Sequence, residues 1–447
     1  VKLRRAKSTQ LLERLAKVES PDVTFLGDGF PVVMKKARGM VVTDADDNRY
    51  LDFTACFGVL AFGHGSAVVR EAIRRQSAKL IHGMGDVHPT REKVRLLEAL
   101  AATAPFPNAK ITLGLSGSDA IDTAIKTAMV ATGRSRFLSF SGGYHGLTLG
   151  PLSLNSRAHF RSGFEPWIAE KCTVLPFPQS AVKKEFLCAK EAPTDAQNNA
   201  RGLFSPEQTL ALLKNELAKN TSAAIVFEPL QGRAGEREWP VGFLKEMQSL
   251  AQKHGTLLIA DEIFSGLGRT GSLWAHTNDT VVPNIICAGK ALGGGLPLSA
   301  CIADCMDAWG KSTGEARHTS TFLGHPLACA VGYDVLKQIH QSLPDIAQRT
   351  LLINTELQMF VQNCLATDIP QKHPFVVRGR GYMRGLWFFK SAPGFAVTLS
   401  EQLMAKGFLT LPSGEHGDVL SLTPPLIATP EHFRKILKEI LGLLSAL

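Results

Sequence analysis

The sequence predicts an α/β protein: a mainly parallel, seven-stranded-type sheet flanked by helices in a large domain, and a smaller α+β domain contributed by both termini. Two observations predict it. From Gly65 to about Pro326 short apolar runs alternate with helical stretches, as a mainly parallel sheet requires. Several of those runs stop on a polar or charged residue, and in open α/β sheets ligands sit at the carboxyl ends of the strands. A chain of 447 residues is ample for two domains with substantial cores. The division expected is 1–64 for the N-terminal part of the small domain, 65–326 for the large domain and 327–447 for the rest of the small domain.

Taken in order, residues 1–17 carry regular leucines and Glu13 among Arg and Lys, which suits an amphipathic capping helix better than an Arg-rich organelle presequence. A short β region follows: Pro31-Val-Val-Met, then Gly39-Met-Val-Val-Thr-Asp, then a turn at Asp47-Asn48 before Tyr50-Leu-Asp-Phe. Ile121, Ile125 and Met129 recur at helical spacing after the strand-like Ile111-Thr-Leu-Gly-Leu115. The span 179–206 is rich in Lys, Ala, Asn and Gln without a clear period. It reads as a surface excursion able to cover the active site or a neighbouring subunit. A long apolar helix is expected from Leu327, strands within Phe375–Phe389 and a closing helix from Glu431.

Four strand ends carry the chemistry. The apolar run Asn284-Ile-Ile-Cys-Ala-Gly289 delivers Lys290, and Gly293-Gly-Gly295 follow, where backbone can approach a ligand closely. A lysine desolvated there has a lowered pKa and a nucleophilic amine. Ser116-Gly117-Ser118 fall at a helix start, where free N–H groups and the helix dipole favour an anion; an ordinary serine N-cap reads the same letters. Ala223-Ala-Ile-Val-Phe ends at Glu228, and Thr256-Leu-Leu-Ile-Ala at Asp261. A buried carboxylate facing a pyridine nitrogen keeps that nitrogen protonated, which makes the ring the electron sink pyridoxal phosphate chemistry needs.

Gly114-Leu-Ser-Gly-Ser-Asp-Ala120, Gly143-Tyr-His-Gly146, Phe227-Glu-Pro-Leu-Gln-Gly232, Asp261-Glu-Ile-Phe-Ser-Gly-Leu-Gly-Arg-Thr-Gly271, Gly289-Lys-Ala-Leu-Gly-Gly-Gly-Leu-Pro-Leu298 and Thr321-Phe-Leu-Gly-His-Pro-Leu327 resemble, in order and spacing, the class III aminotransferases. The resemblance runs from about Asp44 to about Pro430. It implies fold type I and pyridoxal 5′-phosphate bound covalently, as a Schiff base, through Lys290, which also shuttles the substrate proton. It implies Asp261 on the pyridinium nitrogen, Tyr144 stacked on one ring face and Ile263 on the other. Gly117 and Ser118 would bind the phosphate, with Thr321 reaching it from a neighbouring subunit, hence a homodimer with shared active sites. His145 and Glu228 complete the coenzyme set. The implied reaction is a ping-pong transamination between a primary amine or ω-amino compound and a keto acid. The alternative within the family is an intramolecular aminomutase of the glutamate-1-semialdehyde type; a catalytically dead binding protein is disfavoured by Lys290 and Asp261 together.

Where many relatives carry Gln-Gly-Glu-x-Gly and a distal arginine before Pro-Pro-Leu, this chain has Gln231-Gly232-Arg233-Ala-Gly235, and Ser421 before Pro424-Pro-Leu426. The acid of that family pair is replaced by a base and its arginine is gone. Either Arg233 supplies the lost cation for a dicarboxylate, or the enzyme uses another donor or acceptor, such as an amine or pyruvate. Phe264 stands where relatives often place a glutamine near the coenzyme's phenolic oxygen. Phe57 falls at a substrate-pocket aromatic of the family; core packing reads equally well.

Other classes fit poorly. Gly266-Leu-Gly268-Arg-Thr-Gly271 matches the dinucleotide fingerprint, but no helical apolar period follows it before Pro283. Eight cysteines show neither a C-x-x-C pair nor zinc spacing, so no metal is expected and the compartment reads as reducing and cytoplasmic. The net charge of +9 comes from scattered cations without a basic block, which argues against nucleic acid. No apolar run approaches a membrane span.

Overall fold

In the computed structural model, which describes residues 3–25, 30–194, 197–198, 203–310 and 314–447, seven strands form one central sheet. Their spatial order is Lys110–Gly114, Ser299–Ala303, Ile285–Ala288, Leu257–Asp261, Ser222–Phe227, Arg136–Phe140, Cys172–Leu175. Ser299–Ala303 runs antiparallel to both neighbours and the other six strands are mutually parallel. All six residues of Ser222–Phe227 are buried, because helices cover both faces and the strand need not alternate with polar residues.

Side chains along each strand leave to opposite faces. Ile285 and Cys287 pack with Ile121, Ala124 and Ala128 of the helix Gly117–Thr132. Their neighbours Ile286 and Ala288 join Val331 and Val335 of the helix Pro326–Leu365 on the other side. Leu258 and Ala260 meet Phe243 and Met247 of the helix Phe243–Lys253. Pro326–Leu365 runs for 40 residues and packs on the helices Ala67–Ser77, Arg91–Ala101 and Pro430–Ala446.

Both ends of the chain build the smaller sheets. The N-terminal strands Met34–Arg38, Val41–Asp44 and Arg49–Asp52 form an antiparallel meander, and Phe408–Leu409 adds in parallel beside Arg49–Asp52. The first of these strands begins three residues later than the Pro31 run expects. The N-terminal helix, Ala6–Ala16, buries Ser8, whose N–H and hydroxyl both donate to Asp46. A second sheet contains Leu411–Ser413, Val419–Leu422, Met383–Trp387 and Phe375–Arg380.

Its fifth strand comes from the span 179–206. Within that span Leu187–Cys188 pairs with Phe375 and Val376, and Leu203–Phe204 pairs with Phe177–Pro178. The span is thus tied down at two points, at the edge of the small sheet and in a separate two-stranded ladder; 195–196 and 199–202 lie outside the described residues. The decoy fingerprint forms turns, and its Arg269, 2% exposed, donates to the carbonyls of Tyr382, Thr423, Pro424 and Gly58. Burial lowers the pKa of this guanidinium to about 10.

The hairpin between Phe375–Arg380 and Met383–Trp387 turns at Gly381, where φ is +58° and a Cβ would lie 2.5 Å from the Thr270 carbonyl carbon and 2.7 Å from Arg269 O. Backbone overlap and a left-handed conformation both disfavour a side chain there. Gly381→Ala is expected to lower the unfolding free energy by about 2–4 kcal/mol in urea denaturation; a change below about 0.5 kcal/mol would contradict this packing.

Candidate active site

Five parallel strands end on one edge of the sheet, and each passes its next residues into the same cleft. Leu257–Asp261 ends on Asp261, Ser222–Phe227 is followed by Glu228, and Ile285–Ala288 by Gly289 and Lys290. Arg136–Phe140 leads to Tyr144 and His145, and Lys110–Gly114 to the helix that begins at Gly117.

Asp261, 3% exposed, is held by two donors: His145 Nδ1 reaches Oδ2 at 2.8 Å and the Ile263 N–H reaches Oδ1 at 3.1 Å. A carboxylate has about four acceptor positions, so capacity remains for a further N–H. Burial opposes the charged form of His145, but the hydrogen bond and charge of Asp261, with Glu228, outweigh it and raise the imidazole pKa. The His145 N–H donates to Asn155 Oδ1, and Asn155 Nδ2 donates to Gly146 O, so a buried amide pins this loop.

Glu228 accepts from the Tyr144 N–H and the Gly232 N–H, each at 2.9 Å. Burial raises its pKa to about 7, against the opposing charge of His145. Lys290 starts a 3-10 turn with φ +40°, and its Nζ lies 4.3 Å from the Phe264 ring centroid. Desolvation lowers its pKa, resisted by Asp261 and Glu228 and assisted by Arg269. Phe264 thus offers the amine a ring face where a glutamine would offer a hydrogen bond.

The anion end is built around Ser116. Its hydroxyl accepts from the Asp119 N–H, and Asp119 Oδ2 accepts from Leu115 N–H and Ser116 N–H, a capping box. Both readings of these letters hold: Ser116 caps, while the N–H groups of Gly117 and Ser118 occupy the first turn, where a helix gives them no partner. A Cβ on Gly117 would lie 2.9 Å from Ile263 Cδ1, and one on Gly146 would lie 2.2 Å from Ser118 Oγ. The missing side chains leave a cradle between helix start, Ile263 and the Tyr144 loop, with Lys290 and Asp261 at its reactive side. These residues fit pyridoxal phosphate: an anion-binding helix start, a desolvated amine, and a fixed buried carboxylate with acceptor capacity left.

Toward the substrate side, Gly58 and Gly232 both press on the Phe264 ring; a Cβ would come within 2.4 and 2.5 Å of it. Their chain neighbours are Phe57 (58% exposed, φ +62°) and Arg233, so the backbone of both segments packs on the ring beside Lys290. Thr321 lies exposed in a turn region whose Thr319 hydroxyl donates to Asp86, so within this chain it does not join the cleft. Asp52, Cys56 and His64 bring possible ligand atoms within 4.8 Å of one another. Here His64 is engaged with Asp52 Oδ2 and Thr54 with Oδ1, and burial raises the Cys56 thiol to about 11, which describes a hydrogen-bonded turn.

Fold and site together define a fold-type I pyridoxal-phosphate enzyme. The solved structure of an amine transaminase from an uncultivated Pseudomonas species, in its PLP-bound form, superposes with TM-score 0.81 at 24% identity over 96% of this chain and 98% of that one. A Bacillus anthracis aminotransferase gives 0.84 at 23% identity, with full coverage of both chains. By sequence, the chain is 33% identical to the acetylornithine aminotransferase of Methanopyrus kandleri, covering 93% of this chain and 95% of that one. It is also 33% identical to the diaminobutyrate–2-oxoglutarate aminotransferase of Haemophilus influenzae, covering 85% and 80%. The model of the family "Aminotransferase class-III" matches residues 26–444. This chain belongs to the class-III aminotransferases: it is an enzyme that uses pyridoxal phosphate to move an amino group between an amine and a keto acid. The aminomutase alternative is not favoured.

Sequence reasoning missed Asn155 and Glu236. Asn155 lies outside every motif, ten residues from the backbone it pins. Glu236, 1% exposed, accepts from the Ser421 hydroxyl at 2.7 Å, and Ser421 in turn meets Ser413 at 2.6 Å. The serine standing where relatives have an arginine therefore still contacts an acid, three residues beyond Arg233. The signal available was that acid itself, directly after Gly235.

Burial raises the Glu236 pKa to about 8 from 4.5. The folded state keeps this proton where the unfolded state loses it, so wild-type stability falls as pH rises between those values and levels off above. Glu236→Gln is expected to be near neutral at pH 5 and to raise Tm relative to wild type at pH 9; equal Tm differences at both pH values would contradict a protonated Glu236.

Proposed function

We propose that the cleft works as a ping-pong transaminase site in a cytoplasmic homodimer, with 65–326 as the coenzyme-binding body and 1–64 with 327–447 as the small domain. The observation that carries the reading is the meeting, at one sheet edge, of a desolvated Lys290 with a buried Asp261 fixed by His145. Bound there, pyridoxal phosphate supplies the electron sink that makes the C–H beside a substrate nitrogen acidic.

The chain's own residues do the rest. Lys290 would hold the coenzyme through its amine and move the proton at the substrate carbon; burial lowers the pKa of that amine, which favours the nucleophilic, unprotonated form. Asp261 would face the ring nitrogen and favour its protonation, and the His145 hydrogen bond fixes the carboxylate's position. Tyr144 and Ile263 would enclose the ring and Gly117 and Ser118 would donate to the phosphate, while Glu228 anchors the Tyr144 backbone. Thr321 of a second copy completes the phosphate site. Exposed Ile81, Met84, Val87 and Phe322 near that turn support burial against another copy. Phe57 and Arg233 contact substrate on either side of Phe264. Among the described residues no helix is long and apolar enough to cross a membrane. The named relatives act on acetylornithine and diaminobutyrate, which supports an ω-amino compound as donor.

Reconstitution with the coenzyme followed by borohydride reduction and peptide mass spectrometry is expected to place the pyridoxyl mass on Lys290, and Lys290→Ala to lower turnover at least about 10⁴-fold. Label on another lysine, or Lys290→Ala activity within about tenfold of wild type, would overturn the assignment.

A further inference from the structure

Two arginines meet beside the Tyr144 loop with no acid recorded against either. Arg157 and Arg233 line one small cavity together with Gly142, Tyr144, Ser156 and a third arginine, Arg237, which is 5% exposed. Arg157 lies 5.4 Å from the Phe160 ring centroid, and that ring meets Tyr144 edge-on at 5.6 Å. The two guanidinium groups are close enough that, after desolvation, the charge of Arg157 is the largest influence lowering the Arg233 pKa.

Several other arginines of the fold are matched with carboxylates, and the buried Arg269 with carbonyl oxygens. Arg161 pairs with Glu165, Arg75 with Asp334, Arg434 with Glu356, and Arg380 with both Glu238 and Asp279. Among the described residues, neither Arg157 nor Arg233 has an ion pair. The acid in the cavity wall, Glu415, meets Arg157 through its backbone carbonyl, at 3.5 Å. Two like charges held together without a counter-ion repel each other, and an anion placed between them relieves that repulsion. Arginine forks match carboxylates in pairs of parallel hydrogen bonds.

The cavity shares with the coenzyme site the Tyr144 loop, whose backbone Glu228 anchors. Gly232, the neighbour of Arg233, packs on Phe264, and Phe264 touches Lys290 Nζ. Ser421, at the position where the resemblance places an arginine, is engaged with Glu236 and offers no charge to a carboxylate.

We infer that Arg157 and Arg233 form a two-arginine clamp for the far carboxylate of a dicarboxylic keto acid, and that this clamp sets acceptor choice. The inference rests on the transaminase reading above and adds to it Arg157, a residue outside every sequence motif. A monocarboxylic keto acid carries its only carboxylate beside the reacting carbon and does not reach the clamp.

The test uses holoenzyme reconstituted with pyridoxamine 5′-phosphate and follows single turnovers by coenzyme absorbance with 2-oxoglutarate, pyruvate and uncharged butanal. Arg157→Met and Arg233→Met are each expected to lower the 2-oxoglutarate-to-butanal ratio of apparent second-order rate constants by roughly 10–100-fold, the worth of a charged hydrogen-bonded contact. The pyruvate-to-butanal ratio stays within about threefold of wild type. Arg157→Lys, which keeps the charge and loses the fork, recovers part of the loss. An unchanged 2-oxoglutarate ratio in both variants overturns the clamp, as does an equal fall for all three acceptors. If the wild type reacts with none of the three, the transaminase reading itself fails, which is a different result.

Discussion

The hydrogen bond between His145 Nδ1 and Asp261 Oδ2 is the contact on which the rest of the site depends. A carboxylate taken this far from water costs several kcal/mol unless its oxygens are matched. His145 and the Ile263 N–H provide that matching without exhausting the acceptor positions. The pair is possible because two neighbouring segments end at one sheet edge: the strand that finishes at Asp261, and the loop that leaves Phe140 and returns through Asn155. Asn155 fixes that loop by its backbone at two points, so the imidazole has little freedom to withdraw.

Lys290 occupies the field this pair creates. Burial pulls its pKa down while Asp261 and Glu228 pull it up, and the net lowering is what a nucleophilic amine requires. The aromatic face of Phe264 contributes in place of a polar group and also links the amine to both substrate-side loops, because Gly58 and Gly232 close on the same ring. Backbone fit and chemistry are therefore coupled at these positions: a side chain at either glycine would move the ring beside the reactive nitrogen.

Much of this was legible in the letters because it is local. A strand run that stops at an acid, a lysine before a glycine run and a small-residue turn before an apolar helix each state their place on the sheet edge. Asp261, Glu228, Lys290, Gly117 and Ser118 fall where those patterns put them. What was not legible depends on pairing between distant segments. Leu187–Cys188 pairs with Phe375 and Val376, almost 190 residues on, and two-residue strands leave no period to read. Arg157 gains its meaning only from Arg233, and Glu236 only from Ser421, 185 positions away. The fingerprint at Gly266–Gly271 shows the reverse: its glycines serve turns that let Arg269 bind four carbonyls.

The central claim is that Asp261 governs the protonation of the coenzyme ring. Nitrogen-15 NMR of holoenzyme reconstituted with ring-labelled pyridoxal phosphate tests it most directly. A protonated ring-nitrogen shift that persists to pH 9 in the wild type and moves to the unprotonated value at pH 8 in Asp261→Ala is the predicted result. The same protonated shift in both proteins would contradict the account.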